Sequence, residues 1–375
     1  MVSELVVKKK KICFISLKAY QLFNQKVEGT FGGAEVQMSY LAKELAKDEK
    51  YQISFIVGDY GQKDKEERDG VFLYKFLSPR AKGVSFIEVA QLFKLYQLLR
   101  KLDADIYITT TAHPVIGLVS FFSMINNKKH LHRTSSDIGV DGSFIARGGF
   151  LGKMYKFGLK RADQILVQNE LNKEMLYKNH KLDSIVLKNV FILSGRKNAQ
   201  KKEILWVSRS AAIKKPQKFL DLAERFPGET FRMICPSSVG QESVYRKAKL
   251  RAFKIKNVKF VDFVPFDKIQ EYYDHAKVFI NTSDYEGFPN TFIQSCISGT
   301  PILSLNVNPD NFLNEYNCGY CANSNFEQMC DYLKEITKDY RKWRIKSNNS
   351  RKYVEENHDI KINIERFKEI LENTK

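Results

Sequence analysis

Asn281-Thr282-Ser283-Asp284-Tyr285-Glu286-Gly287-Phe288-Pro289-Asn290-Thr291-Phe292-Ile293-Gln294-Ser295-Cys296-Ile297-Ser298-Gly299-Thr300-Pro301-Ile302-Leu303-Ser304-Leu305 follows directly on the apolar run Lys277-Val278-Phe279-Ile280. Such a run before turn formers reads as a buried parallel strand, and open α/β sheets bind ligands at the carboxyl ends of such strands. Glu286 is therefore expected on a loop at that edge. Pro289 or Asn290 starts a helix, Ile293, Cys296 and Ile297 give it one apolar face, and Gly299 stands where a left-handed cap is expected. A strand from Pro301 to Leu305 follows. A helix start has unpaired N–H groups and partial positive charge, so it accepts an anion such as a diphosphate. Glu286 adds a carboxylate beside it, and Gln294, about one turn in, adds an amide. Carboxylate and phosphate repel, so the pairing suits a ligand with hydroxyls next to phosphate, as in nucleotide sugars. Taken alone, Glu286 reads equally well as a cap or a solvated loop residue.

At 375 residues and 43% hydrophobic, the chain is long enough for two cores. Val115 to Ile125, the longest nearly apolar run, falls short of the roughly 20 residues of a membrane span. No secretory signal precedes Lys8-Lys9-Lys10-Lys11, which predicts a cytoplasmic location. The six cysteines are scattered in mostly apolar surroundings and read as reduced core residues. Cys318-Gly319-Tyr320-Cys321 has no second pair or His cluster to make it a metal site. A net charge of +18 points to an anionic partner. With no Arg-rich tail or aromatic-basic repeat, nucleic acid is not the expected one.

The first half alternates strands and helices: Lys11 to Leu17, Ile53 to Val57, Val71 to Phe76, a helix from Phe86 to Leu102, Asp105 to Thr111, and His130 to Thr134. Gly32-Gly33 lies at the entrance of a helix carrying Val36, Tyr40, Leu41 and Leu45, where a ligand can approach backbone amides. Carboxyl-end loops hold His113 and, after Arg133, Asp137 and Asp141. The two aspartates read either as turn formers or as groups near a reacting sugar. Gly148 to Asp163 is a basic amphipathic segment, suited to an anionic membrane face or to packing with a solvated basic edge. The apolar period lapses from Asn189 to Lys202, which predicts a domain boundary. The pattern restarts at Ile204, and Arg209 and Lys214 flank a loop where two cations can neutralise a diphosphate.

Glu286-Gly287-Phe288-Pro289 with Gln294, preceded by Arg209 and Lys214, resembles the Glu-x7-Glu signature and the Gly-Arg-x4-Lys loop of the retaining GT-B glycosyltransferases of family 4. Gln294 stands where most members carry the second Glu, and Ser208 replaces a Gly. The resemblance implies an α/β chain of two Rossmann-like domains facing each other across a cleft. These are residues 1–190 on the acceptor side, 203–350 binding the nucleotide sugar, and 351–375 returning to the first domain. It implies that Arg209 and Lys214 neutralise the diphosphate and that Glu286 and the backbone of Gly287, Phe288, Pro289 and Asn290 hold sugar hydroxyls. Thr291 belongs to the same donor set. Gln294 would meet the ribose, and Val264, within Asp262 to Phe266, the base. Gly32 and Gly33 would lie against the phosphates, and His113, Arg133, Asp137 and Asp141 would stand near sugar or acceptor, where relatives often place a His or a His-Asp pair.

The expected activity is retaining transfer, without a required metal or cofactor, from a UDP-sugar to a glycan or lipid-linked glycan in envelope or exopolysaccharide assembly, at an anionic membrane surface. A bacterial source is expected. The alternatives are a non-catalytic glycan-binding scaffold of the same fold and a nucleotide-sugar 2-epimerase.

Overall fold

A computed structural model describes residues 8–27, 31–77, 89–195, 197 and 199–374. The start of the helix expected from Phe86 lies outside them. The chain divides into two compact units, Met1–Val190 with Ile360–Lys375, and Phe191–Asp359.

The first unit is built on the strands β1 (Lys10–Ile15), β2 (Tyr51–Val57), β3 (Lys65–Arg68), β4 (Val71–Lys75), β5 (Ile106–Thr110), β6 (Lys129–Arg133), β7 (Gln164–Val167) and β8 (Ile185–Val186). They lie in the order β3-β4-β2-β1-β5-β6-β7-β8. All pair in parallel except the antiparallel edge strand β3. The helices are α1 (Gly33–Leu45), α2 (Val89–Leu102), α3 (Val115–Ile125), α4 (Ser143–Arg147), α5 (Gly149–Arg161) and α6 (Glu170–His180).

The second unit has β9 (Glu203–Val207), β10 (Thr230–Ile234), β11 (Val258–Val261), β12 (Ala276–Asn281), β13 (Ile302–Ser304) and β14 (Gly319–Cys321), with helices α7 (Pro216–Arg225), α8 (Glu242–Ala252), α9 (Ile269–His275), α10 (Asn290–Ile297), α11 (Phe312–Glu315), α12 (Phe326–Lys338) and α13 (Tyr340–Asn357). Its strand order β11-β10-β9-β12-β13-β14 is the dinucleotide-fold order, three strands wound one way from β9 and three the other. The winding reverses between β9 and β12, and in the first sheet between β1 and β5. At such a point the connections diverge to opposite faces and leave a crevice at the carboxyl ends of the two strands.

The last helix, α14 (Ile360–Asn373), belongs to the first unit. Ile360, Ile364, Phe367, Ile370 and Leu371 join the core formed by α1 and the sheet. Ile362 is exposed, because it falls on the opposite side of the turn. Residues 351–357, expected within this returning segment, instead continue α13 inside the second unit.

The basic segment that suited either a membrane face or packing with a solvated basic edge forms α5, and its apolar face packs inside the fold. Tyr155 and Leu159 are buried with Ile116 of α3. The two helices approach so closely that a Cβ on Gly158 would meet the backbone of Ile116 at 2.7 Å, and one on Gly117 would meet the carbonyl oxygen of Met154 at 2.6 Å. The exposed edge of α5 carries Lys153, Lys156 and Lys160. No helix among the described residues is long and apolar enough to cross a membrane. The six cysteines are buried as free thiols, and burial pushes those of Cys235 and Cys318 up to about 12.

Candidate active site

β12 is buried along nearly its whole length and ends at Asn281, from which the chain turns sharply. The Asn281 side-chain oxygen accepts the Ser283 N–H at 3.0 Å. This turn aims Glu286 back over the strand end, where three donors meet its carboxylate. Asn281 Nδ2 and Ser283 Oγ donate to Oε1 at 3.0 and 2.7 Å. Lys214 Nζ, from the loop after β9, lies 2.7 Å from Oε2. The side chains of Lys214 and Glu286 are 20% and 19% exposed, covered enough to be held yet open enough to meet a ligand.

Burial raises the Glu286 pKa, but the Lys214 charge and the three hydrogen bonds outweigh it, and the carboxyl sits below its ordinary value. A depressed carboxylate stabilises the fold at all pH values above its unfolded pKa and loses that contribution only as pH falls through the folded value. The unfolding-temperature difference between wild type and Glu286→Gln is therefore expected to stay constant from about pH 8 down to about pH 5 and to change only in more acid solution. Thermal unfolding across that range checks this; a change already near neutrality contradicts it.

The loops after β9 and β12 are laced together. The Thr282 hydroxyl accepts from the Trp206 indole N–H at 2.9 Å and donates to the Lys214 carbonyl at 2.7 Å. Asp284 N–H donates to the Ile213 carbonyl at 3.0 Å, and Lys215 pairs with the Asp284 carboxylate. Thr282 thus fixes the backbone that carries Lys214 to a core tryptophan. Sequence reasoning passed over this residue; its only signal was a hydroxyl directly after a buried strand.

Arg209, just beyond β9, is exposed and has no ion-pair or hydrogen-bond partner among the described residues. The backbone of Val264, after β11, likewise has no hydrogen bond to a described residue. Gly287 and Pro289 are buried, and the Phe288 ring is spent on packing, 4.8 Å from His358 and 5.2 Å from Phe312 between centroids. Asn290 and Thr291 open α10, which no side chain caps. Gln294 is 6% exposed, and its side chain bonds to no described residue, while its carbonyl accepts from Gln270 Nε2 at 2.9 Å. Gly299 has φ +58°, as expected of a cap.

In the first unit, Gly32 is the N-cap of α1, but its N–H already donates to Glu35 Oε2 at 2.8 Å and is not open to a ligand, contrary to expectation. Gly33 is the exposed first residue of that helix. Thr111, at the exit of β5, has φ +65°, a conformation strained for a β-branched residue and one that clusters at functional sites. Two residues on, His113 Nδ1 accepts the Val115 N–H at 3.2 Å. Burial, then the Lys18 charge, lower the His113 pKa, so the ring is neutral with its proton on Nε2. In this state Nε2 can donate a hydrogen bond, while Nδ1 is already occupied.

Asp137 Oδ1 accepts from Asn172 Nδ2 at 2.8 Å, and Asp141 Oδ1 accepts the Ser143 N–H at 2.7 Å. Asp141 thus serves as a turn former. Arg133, expected near an acceptor, is 1% exposed beneath the carboxyl edge of the sheet. Among the described residues, no group of three or more His, Cys, Asp or Glu is placed to hold a metal.

A partly buried carboxylate paired to a lysine thus stands at the switch point of a dinucleotide-fold sheet, with an exposed, unpaired arginine just beyond the neighbouring strand. Residues 191–357, the second unit except His358 and Asp359, match the family described as Glycosyl transferases group 1. The match to the group 1 glycosyl transferases thus covers nearly the whole of the second unit. Lys214, Glu286 and Gln294 all lie within it. Over 358 residues the chain is 24% identical to an uncharacterised glycosyltransferase of Haemophilus influenzae, covering 92% of this chain and 97% of the relative.

Two solved structures share the fold across nearly their whole length. Sucrose-phosphate synthase from Thermosynechococcus elongatus superposes with a TM-score of 0.77 at 15% identity, covering 97% of this chain and 98% of that one. HepE from Anabaena, solved with UDP and glucose, superposes at 0.75 and 14% identity, covering 97% and 100%. The chain has the GT-B fold, an α/β architecture of two Rossmann-like domains.

Proposed function

We propose that this chain is a retaining, family 4 glycosyltransferase that moves a sugar, of hexosyl type, from a nucleoside-diphosphate sugar to a glycan or lipid-linked glycan hydroxyl without a metal ion. The observation that carries this reading is the Lys214–Glu286 pair at the switch point, with Arg209 unpaired just beyond β9. UDP is favoured as the carrier. HepE was solved with UDP, and a trehalose-6-phosphate protein from E. coli, similar in fold at a TM-score of 0.71, with UDP-2-fluoro glucose.

In the reaction the bond from the anomeric carbon to the diphosphate oxygen breaks, its electron pair staying on the diphosphate. A bond from the acceptor oxygen forms in its place, and the acceptor proton departs. Arg209 and Lys214 stabilise the charge that collects on the diphosphate. Glu286 and the backbone of Gly287 to Asn290 bind the sugar hydroxyls. Gln294 meets the ribose, and the free backbone of Val264 meets the base. In the first unit Asp137 takes the acceptor proton or orients the sugar, and His113 donates from Nε2. A charge of +18 suits an acceptor presented at an anionic membrane face in the cytoplasm, as in envelope or exopolysaccharide assembly.

Incubating the chain with UDP-sugars and a panel of glycan acceptors tests this. The expected result is UDP release only when an acceptor is present, with the anomeric configuration kept in the product. Conversion of the donor to its C2 epimer would mean an epimerase, and binding without turnover a scaffold. Gln294→Glu supplies a second check. A hydrogen bond to a charged acceptor contributes about 1.5–3 kcal/mol against about 1 for a neutral one, so this variant is expected to bind UDP about tenfold more tightly in calorimetry. Unchanged affinity would remove the ribose role.

A further inference from the structure

Arg133 ends β6 on the same face as Leu131, which belongs to the core under α1 and α14. Its Nη2 donates to Asn189 Oδ1 at 2.6 Å and more weakly to the Leu187 carbonyl at 3.4 Å. Nε and Nη1 are buried with no partner. No carboxylate among the described residues pairs with the guanidinium, and burial alone lowers its pKa, to about 10.

Asn189 is held from above: Gln37 of α1 bonds both the N–H and the carbonyl of the next residue, Val190, at 2.6 and 3.2 Å. The guanidinium therefore lies under the early turns of α1, near the reversal point between β1 and β5. Gln21, in the short helical turn that follows the carboxyl end of β1, is also buried, and both its amide atoms lack partners.

A cation closed off from water with no counter-charge is costly, and buried polar groups left unpaired in a native chain point to something that completes them. Here the unmet groups are three donors, Arg133 Nε and Nη1 and Gln21 Nε2, against one acceptor, Gln21 Oε1. The missing partner is acceptor-rich and negative. A neutral sugar hydroxyl would leave the charge unbalanced, whereas an oxyanion suits arginine. The start of α1 cannot serve by itself, because Glu35 already takes the Gly32 amide.

We propose that Arg133, with Gln21, forms an oxyanion subsite at the carboxyl edge of the first sheet, which takes a phosphoryl group carried by the acceptor. This rests on the transferase reading for the word acceptor; the anion site itself does not.

The test is calorimetry and thermal unfolding of the full chain with inorganic phosphate, at saturating UDP, for wild type, Arg133→Gln and Gln21→Leu. Phosphate is expected to bind the wild type and raise its unfolding temperature, and to bind Arg133→Gln about tenfold or more weakly, with UDP binding unchanged. Gln21→Leu, which keeps the cation, is expected to weaken phosphate less and covers the case in which Arg133→Gln does not fold. Equal phosphate binding by wild type and variants, or none by the wild type, overturns the subsite.

Displacement of phosphate by a hexose phosphate but not by the free hexose assigns the group to the acceptor. Displacement by neither overturns that assignment. Failure of UDP to bind would sink the transferase reading, and the phosphate result would still decide the role of Arg133.

Discussion

Lys214→Ala is expected to weaken UDP binding by about a hundredfold. A charged hydrogen bond contributes about 1.5–3 kcal/mol, and the loss is expected at the upper end of that range because of Glu286. In the intact chain its carboxylate is neutralised by the ammonium 2.7 Å away. Without Lys214 it keeps only Asn281 and Ser283 and stands as an uncompensated negative charge beside an incoming diphosphate. The double variant Lys214→Ala with Glu286→Gln removes that repulsion and is expected to recover part of the affinity. Calorimetry on the four corners of this cycle measures the coupling directly. Additive losses would mean that the two side chains do not share a ligand.

Glu286→Gln is expected to separate binding from chemistry. The amide can keep the Asn281 and Ser283 contacts at Oε1 but no longer holds Lys214 as an ion pair, so Lys214 is freed for the diphosphate and UDP alone should bind as well as, or better than, it does to the wild type. Transfer should nevertheless fall by about 10²–10³-fold, the size of loss seen when a group aimed at developing charge is removed. Here the developing charge is the positive one on the sugar ring. Steady-state kinetics beside UDP titration check this. A fall in UDP affinity matched by an equal fall in turnover would instead mark Glu286 as a structural partner of Lys214.

The stretch around Glu286 was legible because each step has a local cause. A β-rich apolar run becomes a polar turn, Pro289 pre-sets a helix start, and Gly299 can take the positive φ that ends the helix. The cations at Arg209 and Lys214 were legible as a spacing, but their difference was not. Lys214 is fastened through Thr282 to Trp206 and through its ammonium to Glu286, whereas Arg209 is free, and only the pairing of β9 beside β12 decides this.

In the first unit the sequence located the carboxyl-end loops but not the contacts their side chains make. Glu35 reaches back over one helical turn to take the Gly32 amide, which is a local motif readable in principle as an acidic residue three positions after a cap. The burial of Arg133 is not local at all. It depends on the α1 helix and the Asn189 segment, far apart in the chain, closing over the end of β6. The apolar face of α5 had two possible partners, lipid or protein, and the glycines that let α3 approach it decide the matter.

The most direct test of the donor site is calorimetric titration of UDP, GDP, ADP and CDP into the metal-stripped wild-type chain. Binding of one of them, UDP first, at about micromolar Kd, equivalent to about 8 kcal/mol, is the predicted result. Binding of none of the four, under conditions where thermal unfolding shows the chain intact, would contradict the assignment of Arg209, Lys214 and Glu286 to a nucleotide-sugar site.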